Sequence, residues 1–447
     1  KTTSTGGTVT TTGNITCKSI DLTSGTKTFI IDGEDVIVED DIVVTAGTLQ
    51  VTAGTLTVNN NSVTAAMLDG GTLDIDGGTV TITGGSLASM KFWDDNHDGT
   101  GSTTGTLNIS GGTLSVNDMI NIIDGTFIQT GGAVNVCNHD AVSGGSSADK
   151  FSILAGTLTL TGGSLNLRGQ KSGYDAMYIP STGVSVTNST SHTVLIEPNN
   201  SDDEDMYLNL NGKEIGNLTI NLDQSSQDVF LMSGLALEGN LTITAGDLQA
   251  SSAQNLTMSG GTQSISIAGG SVTGTDAGSG NDLTLAITSG STTTITGNAT
   301  GNDDHEKKFF NVNVNSGATL ELSRGVLCRY GTFTVAGDLK INDNGYVQSV
   351  GVSPTYGNSS TLTYNSTGAY SRGHEWTATS GAGYPNDVTI AQGSVNPGAN
   401  SGAGTARAIA GNLTIASGAG FYMDYGSDDM TAAITVNGNL TNSGTLS

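Results

Sequence analysis

Glycines spaced seven residues apart, with apolar and polar residues alternating strictly between them, constrain this chain more than any other feature. The clearest stretch reads GGTLDIDGGTVTITGGS, where Gly71, Gly78 and Gly85 frame Leu73 and Ile75 in one leg and Val80 and Ile82 in the next. Period-two alternation over five residues predicts a strand with one buried face. The flanking glycines predict corners of positive φ, where a Cβ would clash. No Asn-Gly or Asp-Gly turn separates the legs, so the pattern predicts a bend around a core rather than a hairpin.

The leg pair recurs five times. First legs follow Gly47, Gly71, Gly105, Gly125 and Gly156, and second legs follow Gly54, Gly78, Gly112, Gly132 and Gly163. Stacked in register, the copies align Leu49, Leu73, Leu107, Phe127 and Leu158 in one inward column, and Leu56, Val80, Leu114, Val134 and Leu165 in a second. A third holds Val58, Ile82, Val116, Val136 and Leu167. One coil buries too few aliphatic side chains to offset its own ordering entropy, so its stability has to come from stacking on neighbours. The predicted class is all-β: a parallel β-solenoid, or β-helix, forming one continuous rod with lateral loop insertions.

Residues 1–44 alternate less regularly and read as opening coils. Between Gly47 and Gly156 the legs keep their length while the coil-to-coil spacing varies from 20 to 34 residues. The variation therefore falls on the third side, and insertions are expected to gather on one lateral face. The insertions 89–104, 137–151 and 168–180 carry Trp93, His97, His139, Tyr174 and Tyr178, the residues expected to bind a ligand. Aromatic rings there suit stacking on the apolar faces of sugars. From about residue 200, strands of the form G-N-L-T-I recur at Gly216, Gly239 and Gly411, with relatives at Asp282, Asp338, Asp387 and Gly438. This change of coil style divides the chain into 1–200 and 201–447.

Charge and composition narrow the partners. Acidic residues number 41 against 15 basic, a formal net charge of -26, which disfavours nucleic acid and anionic lipid. Divalent cations and neutral polysaccharide suit that surface better. No run of 18 apolar residues occurs, so no membrane insertion is expected. The chain starts at Lys1 without an initiator Met or an apolar signal core and reads as a mature or trimmed product. Cys17, Cys137 and Cys328 lie far apart and build no disulfide framework.

The sharpest chemical motif is Asp94-Asp95-Asn96-His97-Asp98-Gly99, which fits D-x-N-x-D-G. It offers Asp94, Asn96 and Asp98 as oxygen ligands on alternate residues of a turn, as Ca²⁺ requires. Position twelve is Gly105 in place of a bidentate Glu. The acidic runs Asp202, Asp203, Glu204, Asp205 and Asp303, Asp304, Glu306 read as solvated loops. A polysaccharide lyase or hydrolase would have to draw on Asp94, Asp98, His139, Asp140 and Lys171. Bland Thr, Asn and Ser fill the outward strand positions, so the chain reads as non-enzymatic, with no catalytic residue assigned. An ice-binding face would need a flat Thr array, but the outward row reads Gln50, Asp74, Asn108, Ile128 and Thr159.

The GNLTI strands, together with the GGTLxI and SGTL legs, resemble the β-strand-repeat segments of large secreted surface proteins of Bacteroidetes-type bacteria, many exported by the type IX route. The resemblance implies an extracellular, cell-surface location. No segment like that route's C-terminal sorting domain is visible. The repeat pattern starts at Gly6-Gly7-Thr8-Val9-Thr10 and is still running at Ser443-Gly444-Thr445-Leu446-Ser447, with no capping element at either place. Thr8, Val9, Thr10, Thr445 and Leu446 are therefore the expected contacts of head-to-tail self-association into filaments. The expected function is an extracellular structural subunit with an adhesive role. The alternatives are a monomeric adhesin or carbohydrate-binding rod, and an enzyme on a β-helix.

Overall fold

In the computed structural model the short alternating legs bounded by glycine wind into stacked coils. The structure describes residues 7–92, 104–138, 149–169, 173–198, 205–223, 227–273, 282–297, 307–371, 373–398, 404–424 and 429–447. Among the described residues there is no helix, and the chain is all-β, a parallel β-solenoid. Two compact units form, Lys1–Leu235 with Thr244–Gly246, and Ala236–Ile243 with Asp247–Ser447.

In the first unit each coil has three sides. First legs such as Thr48–Val51, Thr72–Ile75 and Gly105–Ile109 pair in parallel, residue on residue, so that Leu49, Leu73, Leu107, Phe127 and Leu158 stack as the alternation predicts. Second legs such as Thr55–Asn59, Thr79–Thr83 and Thr113–Val116 stack the other two columns. In Gly125–Val136 and Gly156–Leu167 the two legs run together as one bent strand. Every member of the three columns is buried.

The third side is also a strand series, built from pieces of two to four residues, among them Ala66–Leu68, Met90–Phe92, Ile120–Ile122, Phe151–Ile153 and Met177–Tyr178. Its inward residues close the core, and Phe151 meets Phe127 edge to face with centroids 5.2 Å apart. This corrects the expectation that the insertions share one place in the coil. Residues 93–104 follow their third-side strand, whereas 137–150 and 168–176 precede theirs. Along the chain the insertions therefore come after the third-side strand in one coil and before it in two others.

The corner glycines also differ from the expectation. Gly54, Gly112, Gly132 and Gly163 have φ between 66 and 79°, the left-handed region that a Cβ disfavours. Gly71, Gly105 and Gly125 do not, and serve close approach instead: a Cβ on Gly105 would lie 2.7 Å from the Leu68 carbonyl oxygen of the coil before.

The second unit repeats the plan with different strands. One parallel series runs through Asp247–Ala250, Ser271–Thr273, Lys307–Phe309, Gly325–Cys328 and Tyr346–Val347, and another through Gln254–Met258, Leu283–Ile287, Asn311–Val314, Phe333–Val335 and Thr355–Tyr356. A third series contains Thr262–Ile267, Thr292–Gly297, Thr319–Leu322 and Asp338–Asn342 and continues through Leu413–Ile415 to Leu440–Asn442. Where the first two stop, large rings enter the core. Tyr364 and Trp376 are fully buried, and Trp376 stacks on Phe421 at 6.0 Å.

Candidate functional site

The first and last described strands of the chain each pair along one edge. Among the described residues, Gly7–Thr10 pairs with Lys27–Ile31 alone, and Thr445–Leu446 with Gly420–Phe421 alone. Thr8, Val9 and Thr10 are exposed, and Val9 is 39% exposed although its neighbours one and two coils on, Phe29 and Leu49, are half-buried and buried. Thr445 is exposed too. Leu446 is 38% exposed where its column mate Phe421 is 1%, and Leu440 is 49% exposed where Leu413 is 3%. Both coils thus carry apolar column ends beside main-chain donors and acceptors that parallel pairing would use.

The Asn of the GNLTI motif explains how one coil grips the next. Asn240 Oδ1 accepts the Ser264 backbone N–H at 2.8 Å, and Asn311 Oδ1 that of Thr332 at 2.8 Å. Asp338 and Asp387 do the same for Thr361 and Asn412, and Asn412 for Asn439 at 2.9 Å. At these five positions a short side-chain acceptor stitches a coil to its successor, a task that Asn and Asp perform alike, whereas Asn217 donates through Nδ2 to the Thr190 and His192 carbonyls of the coil before. Asn439 holds the same position in the last coil and is exposed.

On the insertion side, Tyr178 lies on the third-side series between Ser152 and Asn209, and both Tyr174 and Tyr178 are half-buried. Between them, the backbone N–H of Asp175 donates to Asp149 Oδ1 at 2.9 Å. Burial, reinforced by the charge of Asp149 and opposed by a hydrogen bond from Asn209, pushes the Asp175 carboxyl up to about 6. Trp93, Asp94, Asn96, His97, Asp98, His139, Asp140 and Lys171 lie outside the described residues. Among the described residues no three His, Cys, Asp or Glu side chains are grouped to hold a metal ion. Cys17, Cys137 and Cys328 are free thiols.

Sequence reasoning missed the polar groups inside the coils. Asp118 and Lys150 form a buried ion pair. Gln129 stands in an inward column between Ile109 and Leu160, where it meets His192 Nε2 at 3.1 Å. Glu375 is buried in the second unit: its Oε1 accepts from the hydroxyls of Tyr364 at 3.2 Å and Tyr370 at 3.0 Å and from the Gly373 N–H at 2.7 Å. Burial pushes that carboxyl up, and the Tyr370 phenol well above its usual range. Only Gln129 left a signal, as a polar residue at an inward position of an otherwise apolar leg.

Comparisons with protein-family models, with curated proteins and with solved structures returned no match.

Proposed function

We propose that this chain is a non-enzymatic extracellular structural subunit that stacks head to tail, the coil containing Leu446 on the coil containing Val9 of the next copy. The observation that supports the reading is the exposure of Val9, Leu440 and Leu446 on strands that pair along one edge among the described residues. The two surfaces differ in sequence, so their contact is heterologous and propagates as a filament instead of closing as a dimer. Asn439 supplies the acceptor that stitches coils elsewhere, and the net charge of -26 opposes sideways clumping.

The adhesive role falls to the insertion side. There Trp93, His97, His139, Tyr174 and Tyr178 offer rings to a cell-surface glycan, with Asp94, Asn96 and Asp98 as the Ca²⁺ ligands of the loop they share with Trp93 and His97. Sedimentation velocity of the full chain tests the assembly. Species growing with concentration are expected, and deletion of residues 1–12 is expected to return a single slow species whose circular dichroism is still that of a β-protein. Growth unaffected by the deletion contradicts the reading.

A further inference from the structure

Lys150 and Asp118 form an ion pair that solvent does not reach. Nζ lies 2.7 Å from Oδ1, and the two side chains are 1% and 0% exposed. They come from successive coils, Asp118 two residues before Ile120–Ile122 and Lys150 immediately before Phe151–Ile153, and those strands pair in parallel. The main chain fixes both sides of the site: Asp118 N–H donates to the Ala88 carbonyl at 3.0 Å, Cys137 N–H to the Asp118 carbonyl at 3.1 Å, and Ile120 N–H to the Lys150 carbonyl at 2.8 Å. Ser89, also buried, places its hydroxyl 3.2 Å from Asp118 Oδ2 and 3.0 Å from the Leu87 carbonyl, so its single proton is shared between them.

Two opposite charges held away from solvent are costly to keep, because the desolvation of both has to be offset inside the fold. One reaction removes both charges with nothing added. We propose that Lys150 and Asp118 condense into an isopeptide bond. A proton first passes from Nζ to Oδ1 across the 2.7 Å contact; the neutral amine then attacks Asp118 Cγ, the new C–N bond forms, and the bond from Cγ to Oδ1 breaks as that oxygen takes a second proton from Nζ. The ammonium brings three protons and the carboxylate none; the amide keeps one and Oδ1 leaves with two as water. Charge and atoms balance without oxidant, reductant or external base.

Geometry supplies the rate. The reacting groups are held in contact by two packed coils, which turns a bimolecular condensation into an intramolecular one. The tetrahedral intermediate places its negative charge on Oδ2, where the Ser89 hydroxyl can donate. The product closes a covalent ring over residues 118–150 and staples one coil to the next. A solenoid comes apart by peeling coils from one another, and a bond across two of them blocks peeling at that point. The inference stands on this pair alone and does not depend on assembly.

The intact mass of the purified full chain tests it. The expected mass is below the sequence mass by one water, and a tryptic digest of the denatured protein is expected to keep residues 92–168 as a single product, because an acylated Lys150 is no longer cut. Fragmentation of that product is expected to place the branch between Lys150 and Asp118. K150R is expected to show the full sequence mass. A wild-type chain of full mass that is cut after Lys150 overturns the proposal. So does a water loss that persists in K150R, since it would place the dehydration elsewhere.

Discussion

Replacing His192 with glutamine removes a titration that the fold holds far from its ordinary range. His192 is fully buried, and Gln129 Nε2 donates to the Ser164 and Gly132 carbonyls at 2.8 and 3.4 Å. Gln129 Oε1 is therefore the acceptor facing the imidazole, so Nε2 of His192 carries the ring proton and donates across 3.1 Å. Nδ1 is left buried without a partner, and a second proton there would have nowhere to donate. Burial accordingly lowers the imidazole from 6.5 to about 4. A depressed histidine contributes its full stability above the unfolded value of 6.5, loses it as pH falls through that value, and stops losing it near the folded value of about 4. At about 1.4 kcal/mol per unit the whole difference comes to about 3 kcal/mol, of which about 2 kcal/mol falls between about pH 7 and about pH 5. Urea unfolding of the wild type and of H192Q at those two pH values measures it. The wild type is expected to lose about 2 kcal/mol more than the variant, and NMR is expected to show the ring titrating near 4. Equal losses in the two proteins, or a ring that titrates near 6.5, refute the reasoning.

Glu375 has the opposite sign. Burial raises its carboxyl above the ordinary 4.5, so its contribution is present below that value and is lost as pH rises through the raised one. E375Q is expected to lack that loss, so the thermal midpoints of wild type and variant should separate from acid to neutral pH; parallel curves count against it. Calcium at Asp94, Asn96 and Asp98 is expected to protect residues 92–104 from limited proteolysis while leaving the legs intact. The same cleavage with Ca²⁺ and with EDTA removes the ion from the account.

What could be read from the sequence and what could not separate along a physical line. Leu73, Ile75, Val80 and Ile82 could be placed because period-two alternation and a fixed glycine spacing are local, and stacking repeats them coil after coil. Third-side strands such as Met90–Phe92 are three residues long, too short for alternation to register, so their corners and the loops on them were misplaced. The Asn of GNLTI was visible as a repeat marker, but its task lies in the next coil: Asn240 acts on Ser264, 24 residues on. The polar interior was hidden for the same reason. Lys150 becomes an inward residue only because Asp118 waits 32 positions earlier, and Gln129 has its reason in His192, 63 positions later.

Cryo-electron microscopy of the full chain over a range of concentrations tests the end-to-end claim most directly, because it reads both the product and the orientation of its contact. The expected images are linear polymers in which the Thr445–Leu446 coil of one copy lies parallel to the Gly7–Thr10 coil of the next, so that the strand ladder continues across the junction, and Val9→Lys is expected to abolish them. Single particles at every concentration, or pairs related by a two-fold axis, contradict the claim.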